Sequence, residues 1–209
     1  MSREIHIHVE EPSMEAFLRD FLPRVLPNTA LWRPINHGSK PQLLKELPKR
    51  LRGYASTPPA FRPLALVLID RDEDDCNALK AQLAAAAQEA GLIHKSQADG
   101  VEFDVVNRIV VEELEAWYFG DAIATAAAWP GVKPTFANSA RYRNPDAIKG
   151  GTHEAFLRVL HGAGHWKDQT RLPKVESARR MAAHMDPARN SSRSFQHFLS
   201  GLNALVELT

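Results

Sequence analysis

The segment Leu68-Ile69-Asp70-Arg71-Asp72-Glu73-Asp74-Asp75 carries the strongest chemical signal in the chain. It ends an apolar run, Leu64–Ile69, in a burst of acids. Asp70 and Asp72 are two residues apart at the end of a predicted strand, so both can turn to one side. Carboxylates this close repel one another unless a cation sits between them. A ligand set of oxygens alone favours Mg2+ or Mn2+ over zinc. An EF-hand loop is the poorer match, because its sixth position would be Asp75 instead of Gly and its twelfth Ala81. Glu73, Asp74 and Asp75 read as acids that favour the N-terminus of a following helix.

Two further acidic groups close predicted strands. Glu10-Glu11 follows the first, and Glu112-Glu113-x-Glu115 follows the fourth. Glu112 and Glu115 are spaced i and i+3, which predicts one shared helical face. The three groups converge only if their strands are near neighbours. Other polar motifs carry less. His6-x-His8 alternates along a strand and reads as a polar face. His37-Gly38-Ser39-Lys40 is either a phosphate-holding turn, with Lys40 as its cation, or a plain helix entry. It is not a Walker A loop, and the chain has no Gly-x-Ser-x-Gly elbow. His161 and His165 flank a glycine-rich turn that reads as structural. Cys76 is the sole cysteine, which excludes an internal disulfide and any Cys-cluster zinc site.

The elements that must position these groups alternate along the first two thirds. Arg3–Val9 alternates apolar and polar residues as a strand. A helix follows from Pro12-Ser13 to about Leu22, stopping before Pro23. Ala30–Ile35 is a second strand, and Pro41–Leu51 a helix that Pro48 kinks. Leu64–Ile69 reads as a strand covered on both faces. Asp72–Ala90 is an Ala-rich helix with Gly91 beyond its end. Phe103–Val111 is the fourth strand and Glu112–Phe119 the helix after it. This order predicts right-handed crossovers and a mainly parallel sheet. Beyond Asp121 only helices are predicted, at Ala122–Trp129, Thr152–Leu160, Pro173–Met185 and Ser194–Leu205. The expectation is an α/β core over residues 1–121 and a helical extension over 122–209 packed on it.

Composition sets the outer bounds. The chain has 209 residues, 44% hydrophobic and 24% charged, as for a globular protein with a sizeable core. No apolar run suits a membrane span, and MSREIHIHVEEP has no signal-peptide core, so a cytoplasmic protein is expected. The net charge of +1 hides an asymmetry: residues 131–193 carry twelve Lys/Arg against five Asp/Glu. Arg141, Arg143, Arg179 and Arg180 lie in this stretch, interleaved with Tyr142 and Trp166. Cations neutralise phosphates and aromatic rings stack on unpaired bases, so nucleic acid is an expected partner. A partner-protein surface is the alternative.

Ile7-His8-Val9-Glu10-Glu11-Pro12-Ser13 resembles the opening of a Toprim domain, a strand followed by a Glu and a tight turn. Leu68-Ile69-Asp70-Arg71-Asp72 resembles the Toprim Asp-x-Asp. Glu11 stands where that pattern usually has Gly. VEEPSMEAFLRDFLP, the HGSK turn, LIDRDEDDC, RIVVEELEAWYFGD and SRSFQHFL together resemble the prokaryotic Toprim-like family called domain of unknown function 4276, over nearly the whole chain. The resemblance implies a Toprim-like sheet with Glu10, Asp70 and Asp72 holding Mg2+ or Mn2+ for phosphodiester hydrolysis. Glu112 or Glu115 would complete the site, and Arg71 or Lys40 would stabilise phosphate charge. By analogy with OLD-type nucleases, a separate ATPase is an expected partner. A non-catalytic interaction module, or a toxin or sensor subunit with a degenerate acidic site, is the second expectation.

Overall fold

The structure is a computed structural model that describes residues 3–100 and 102–209. Strands β1 (Ile5–Val9), β2 (Trp32–Asn36), β3 (Leu64–Asp70) and β4 (Val105–Val110) form one parallel sheet in the order β2-β1-β3-β4. Helices α1 (Pro12–Val25), α2 (Lys40–Ala55) and α3 (Cys76–Glu89) connect them. After β4 come α4 (Glu115–Gly120), α5 (Ala122–Ala128), α6 (Thr152–Gly162), α7 (Lys174–His184) and α8 (Arg193–Val206). This is the α/β sheet flanked by helices, with a helical C-terminal extension, that the sequence predicts, and it is consistent with a Toprim-like architecture.

Strand order dictates where the helices go. The step from β1 to β2 runs one way across the sheet, and the steps to β3 and β4 run the other way. Crossovers of one hand therefore place α1 on one face and α2 and α3 on the opposite face. The cores agree. Leu43, Leu47, Leu79 and Leu83 of α2 and α3 pack on Ala65, Val67 and Ile69. Phe17 and Phe21 of α1, with Phe195 and Phe198 of α8, pack on the side that carries Ile5, Ile7, Leu66 and Val106. All seven residues of β3 are buried, as befits a strand covered on both faces.

Aromatic and polar contacts hold the extension to the sheet half and order it internally. Trp117 of α4 is fully buried and stacks on Phe198 at 5.0 Å. The buried Asp121 carboxylate accepts from Ala124 N at 3.0 Å, capping α5, and from Arg189 Nε at 2.7 Å. Asp146 accepts from the hydroxyls of Ser192 (2.7 Å) and Ser194 (3.0 Å) at the start of α8. Gly120 is required where α4 meets this segment, since a Cβ there would overlap the Asn190 side chain.

Several element ends differ from the sequence expectation. Helix α1 runs through Pro23 to Val25. The lost amide falls in the last turn, and burial of Leu22 and Leu26 holds that turn on the core. β2 is shifted to Trp32–Asn36, and α2 continues past Leu51 to Ala55. Helix α3 starts at Cys76, not Asp72, because Asp75 is extended and its carboxylate caps Ala78 N at 2.7 Å. Helix α4 starts at Glu115, not Glu112, because Glu112 adopts the left-handed φ of 62°.

His6 and His8 do not form a solvated polar face; both are buried against α2. The Tyr54 hydroxyl joins them, 2.7 Å from His6 Nδ1 and 3.2 Å from His8 Nε2. His8 Nδ1 meets His37 Nε2 at 3.0 Å, and His37 Nδ1 meets Glu46 at 2.8 Å. Burial pushes all three imidazoles below their ordinary value, His8 furthest, so the chain is held together by neutral rings.

Candidate metal centre at the sheet switch point

The chain leaves β1 and β3 toward opposite sheet edges, so their adjacent carboxyl ends form the switch point of the sheet, where α/β folds place a ligand crevice. Glu10 directly follows β1, and Asp70 is the last residue of β3. The sequence placed acids at these strand ends; strand order makes the two ends adjacent. Glu10 Oε1 accepts from the Asp70 amide at 2.7 Å. Among the described residues no protein donor reaches the Asp70 carboxylate.

Burial and crowding set the protonation of this pair. Burial pushes Glu10 up to about 7 against the pull of the Asp70 amide and Lys40. Burial and the neighbouring Glu10 charge push Asp70 well above the usual carboxylate range. Two such groups cannot both be ionised without a cation nearby.

Glu115 is brought to the same crevice from α4. It is wholly buried, and neither carboxylate oxygen has a hydrogen-bond partner in the protein. Burial pushes it up to about 7 although Lys174 favours its charge. The Tyr118 hydroxyl one turn on is also buried without a partner. Native proteins leave few buried polar atoms unpaired, and these orphans point at a missing positive group.

Four neighbours of this cluster were given no site role by the sequence: Glu11 and Glu113, named only as members of the acidic groups at the strand ends, and His153 and Lys174. Lys174, at the first turn of α7, lies 3.5 Å from Glu11 and 3.1 Å from Glu113. Burial alone would lower it, yet Glu115, Glu11 and Glu113 hold it above its ordinary value. Glu113 also accepts from Thr152 Oγ1 at 3.0 Å and contacts His153 Nδ1 at 2.7 Å. Burial opposes its charge, but Lys174 and His153 hold it down at about 2. Only the basic composition of residues 131–193 hinted at Lys174, and nothing local distinguishes it from the other cations there.

Asp72 and Glu112 turn elsewhere. Asp72 has a left-handed φ of 48°, and its half-exposed carboxylate pairs with Lys40 at 2.6 Å. Lys40 also holds Asp74 at 2.9 Å, so the HGSK segment docks on the loop after β3. Ser39 caps α2, as a plain helix entry does. Glu112 pairs with Arg71, and its carbonyl accepts from Asp72 N at 3.3 Å. The expectation that Glu112 and Glu115 share a helical face is therefore corrected: Glu112 precedes the helix and only Glu115 enters the crevice. Two non-glycine residues with positive φ thus face each other beside the acids, a kind of strain that clusters at functional sites.

Of the basic residues singled out in the sequence, Arg143 lines a groove of about 800 Å³ along β4. Arg179 pairs with Asp20 and Arg180 with Glu176 on α7, outside that groove. Arg141 is exposed on the loop before Arg143.

The donor set in the crevice is carboxylate oxygen, which fits Mg2+ or Mn2+. Glu10 and Asp70 present crowded acids, and the orphaned oxygens of Glu115 lie on the buried side. Asp72 does not close a compact triad with them. Among the described residues, three ligand atoms fall within 4.8 Å of one another at Glu113, His153 and Glu154 alone. Glu10, Asp70 and Glu115 therefore do not all bring a ligand atom within that span of one another, and Lys40 draws the Asp72 carboxylate outward.

No described helix is long and apolar enough to cross a membrane. No curated protein and no solved structure matches the chain. Residues 9–203 match a family model that takes in both the acids of the crevice and the helices closing over it, and the chain belongs to that family, described as Domain of unknown function (DUF4276).

Proposed function

We propose that the protein is a Mg2+- or Mn2+-dependent hydrolase of nucleic-acid phosphodiesters. The observation that carries this reading is the group of buried acids Glu10, Asp70 and Glu115 by the switch point between β1 and β3, which burial raises despite the charges of Lys40 and Lys174. Glu10 and Asp70 would hold the ion, with Glu115 on its buried side and Asp72 brought in if Lys40 releases it. Bound there, the ion would polarise a phosphoryl oxygen and supply the positive charge that phosphodiester chemistry needs. The chain's own part is to fix the acids. The Asp70 amide orients Glu10, and the Arg71–Glu112 pair ties the loop after β3 to that after β4. Glu10 and Glu115 are each near 7 without the ion, so a bound cation would draw both into their charged, ligating forms at neutral pH. A partner ATPase, by analogy with OLD-type nucleases, belongs to this proposal as an accessory subunit.

A second reading has a specific observation behind it. Lys174 already supplies one positive charge to Glu11 and Glu113, as a lysine does in a site that has lost its metal. The protein would then be a non-catalytic interaction module.

Single- and double-stranded DNA and RNA, incubated with the protein in Mg2+, Mn2+ or EDTA, separate the two. The hydrolase reading expects cleavage of one of these substrates in the metal arms alone, lost to below detection in Asp70→Asn. Intact substrate in every arm, from folded protein whose melting temperature Mn2+ leaves unchanged, supports the interaction module instead.

A further inference from the structure

The free edge of β4 lines the groove of about 800 Å³, together with the start of α8 and the loop before Asp146. Three cations reach it from distant parts of the chain: Lys80 on α3, Arg143 on the loop, and Arg193 at the first position of α8. All three are exposed, and none has a carboxylate within ion-pair distance among the described residues. The guanidinium of Arg108 adds a fourth positive charge, held by the carbonyls of His197 (2.6 Å) and Asn107 (2.9 Å).

The one acid of the groove is already engaged. Asp146 accepts from two serine hydroxyls and from the backbone amides of Arg193 (2.6 Å) and Ser194 (3.3 Å). The groove therefore presents cations without counter-charges, unlike Arg179 and Arg180, which are paired. Its floor adds neutral polar groups. β3 takes the inward hydrogen bonds of alternate β4 residues, from Asp104 O to Val110 O, which leaves Asn107 and Ile109 facing outward. Both polar atoms of the Asn107 side chain lack a protein partner. A second groove of about 730 Å³, lined by Arg71, Glu112 and Glu113, shares Asp146 with the first, and its Arg71 directly follows Asp70.

We propose that the β4-edge groove binds the phosphodiester backbone of a nucleic-acid strand, through Lys80, Arg143 and Arg193, next to the hydrolytic centre. The inference rests on the proposed function for the identity of the polyanion, but binding in the groove needs neither the metal nor catalysis. No Phe, Tyr or Trp side chain lines the groove, so contact is chiefly to phosphates and largely independent of sequence. Charge excludes the other occupant of a free strand edge, an apolar or basic peptide strand. An acidic peptide would satisfy the cations, and it is the competing outcome below.

The test is fluorescence anisotropy of a labelled mixed-sequence single-stranded DNA oligonucleotide in EDTA, over a salt series. The proteins are wild type, the triple variant Lys80→Ala/Arg143→Ala/Arg193→Ala, and Asp70→Asn. Each phosphate contact on a single strand contributes about 0.7 to the slope of log affinity against log salt, so losing three lowers it by about 2. The expected result is that loss in the triple variant, with an unchanged melting temperature, and a wild-type slope in Asp70→Asn. An unchanged slope in the triple variant overturns the groove assignment. So does wild-type protein that binds a labelled poly-glutamate peptide and leaves the oligonucleotide free. Absence of cleavage by wild type, with the slope loss intact, removes the hydrolase reading and leaves the groove standing.

Discussion

At about pH 8 in EDTA, Glu115→Gln is expected to melt higher than wild type, and at about pH 4 the two are expected to coincide. Glu115 is fully buried, and its pKa is raised from 4.5 to about 7. A carboxyl raised in the folded state is stabilising below its unfolded pKa, and that contribution is lost as pH climbs through the folded value. The window is therefore 4.5 to about 7, with wild type losing stability as pH rises across it. Glutamine stays neutral and keeps the stability of the protonated acid. The full shift corresponds to about 3 kcal/mol, an upper value, and a chain of this length gains about 2–4 °C for each kcal/mol. Paired melts at the two pH values read the difference, in which the titration of the buried histidines cancels. Coincident melts at about pH 8 would mean that Glu115 is ionised at no cost, and the buried side of the centre would have to be reassigned.

Lys174→Met is expected to act in the opposite sense. It removes the ammonium between Glu11 and Glu113, and with it the positive charge that reaches Glu115 and Asp70. Breaking a fully buried pair from one side costs about 3–5 kcal/mol, and the partial exposure of Lys174 brings the expectation to about 2 kcal/mol in EDTA. Mn2+ should return most of this, because the acids then have a cation of their own. A loss that Mn2+ leaves unchanged would mark Lys174 as the permanent counter-ion of a degenerate site.

Local patterns gave the parts of the fold that local forces decide. Leu64–Asp70 is apolar on both faces and could only be a covered strand, and its acids fall at the carboxyl end. Glu10 is legible for the same reason. Which strand ends meet is not a local property. It follows from the order β2-β1-β3-β4, which the crossovers fix only after the cores on both faces have formed. Asp72 and Glu112 show a second limit. Their left-handed φ belongs to two facing loops, tied by the Asp72–Glu112 backbone bond and the Arg71–Glu112 pair, and nothing in the residue types announces it. Lys174 shows a third, because α7 brings it to Glu11 across more than half the chain. The groove cations illustrate the same limit: Arg143 stood in the basic stretch, but Lys80 and Arg108 lay outside it.

The central claim is that Glu10, Asp70 and Glu115 form a centre for a divalent cation. It is tested most directly by thermal melting of wild type and Asp70→Asn in a Mn2+ titration near neutral pH. A ligand at one hundred times its Kd stabilises the folded state by about 2.7 kcal/mol, which is about 5–10 °C for a chain of this length. The account predicts a saturable rise of that order in wild type and a flat response in Asp70→Asn, which melts at or above wild type in EDTA. A wild-type melting temperature indifferent to Mn2+, or equal shifts in both proteins, would contradict it.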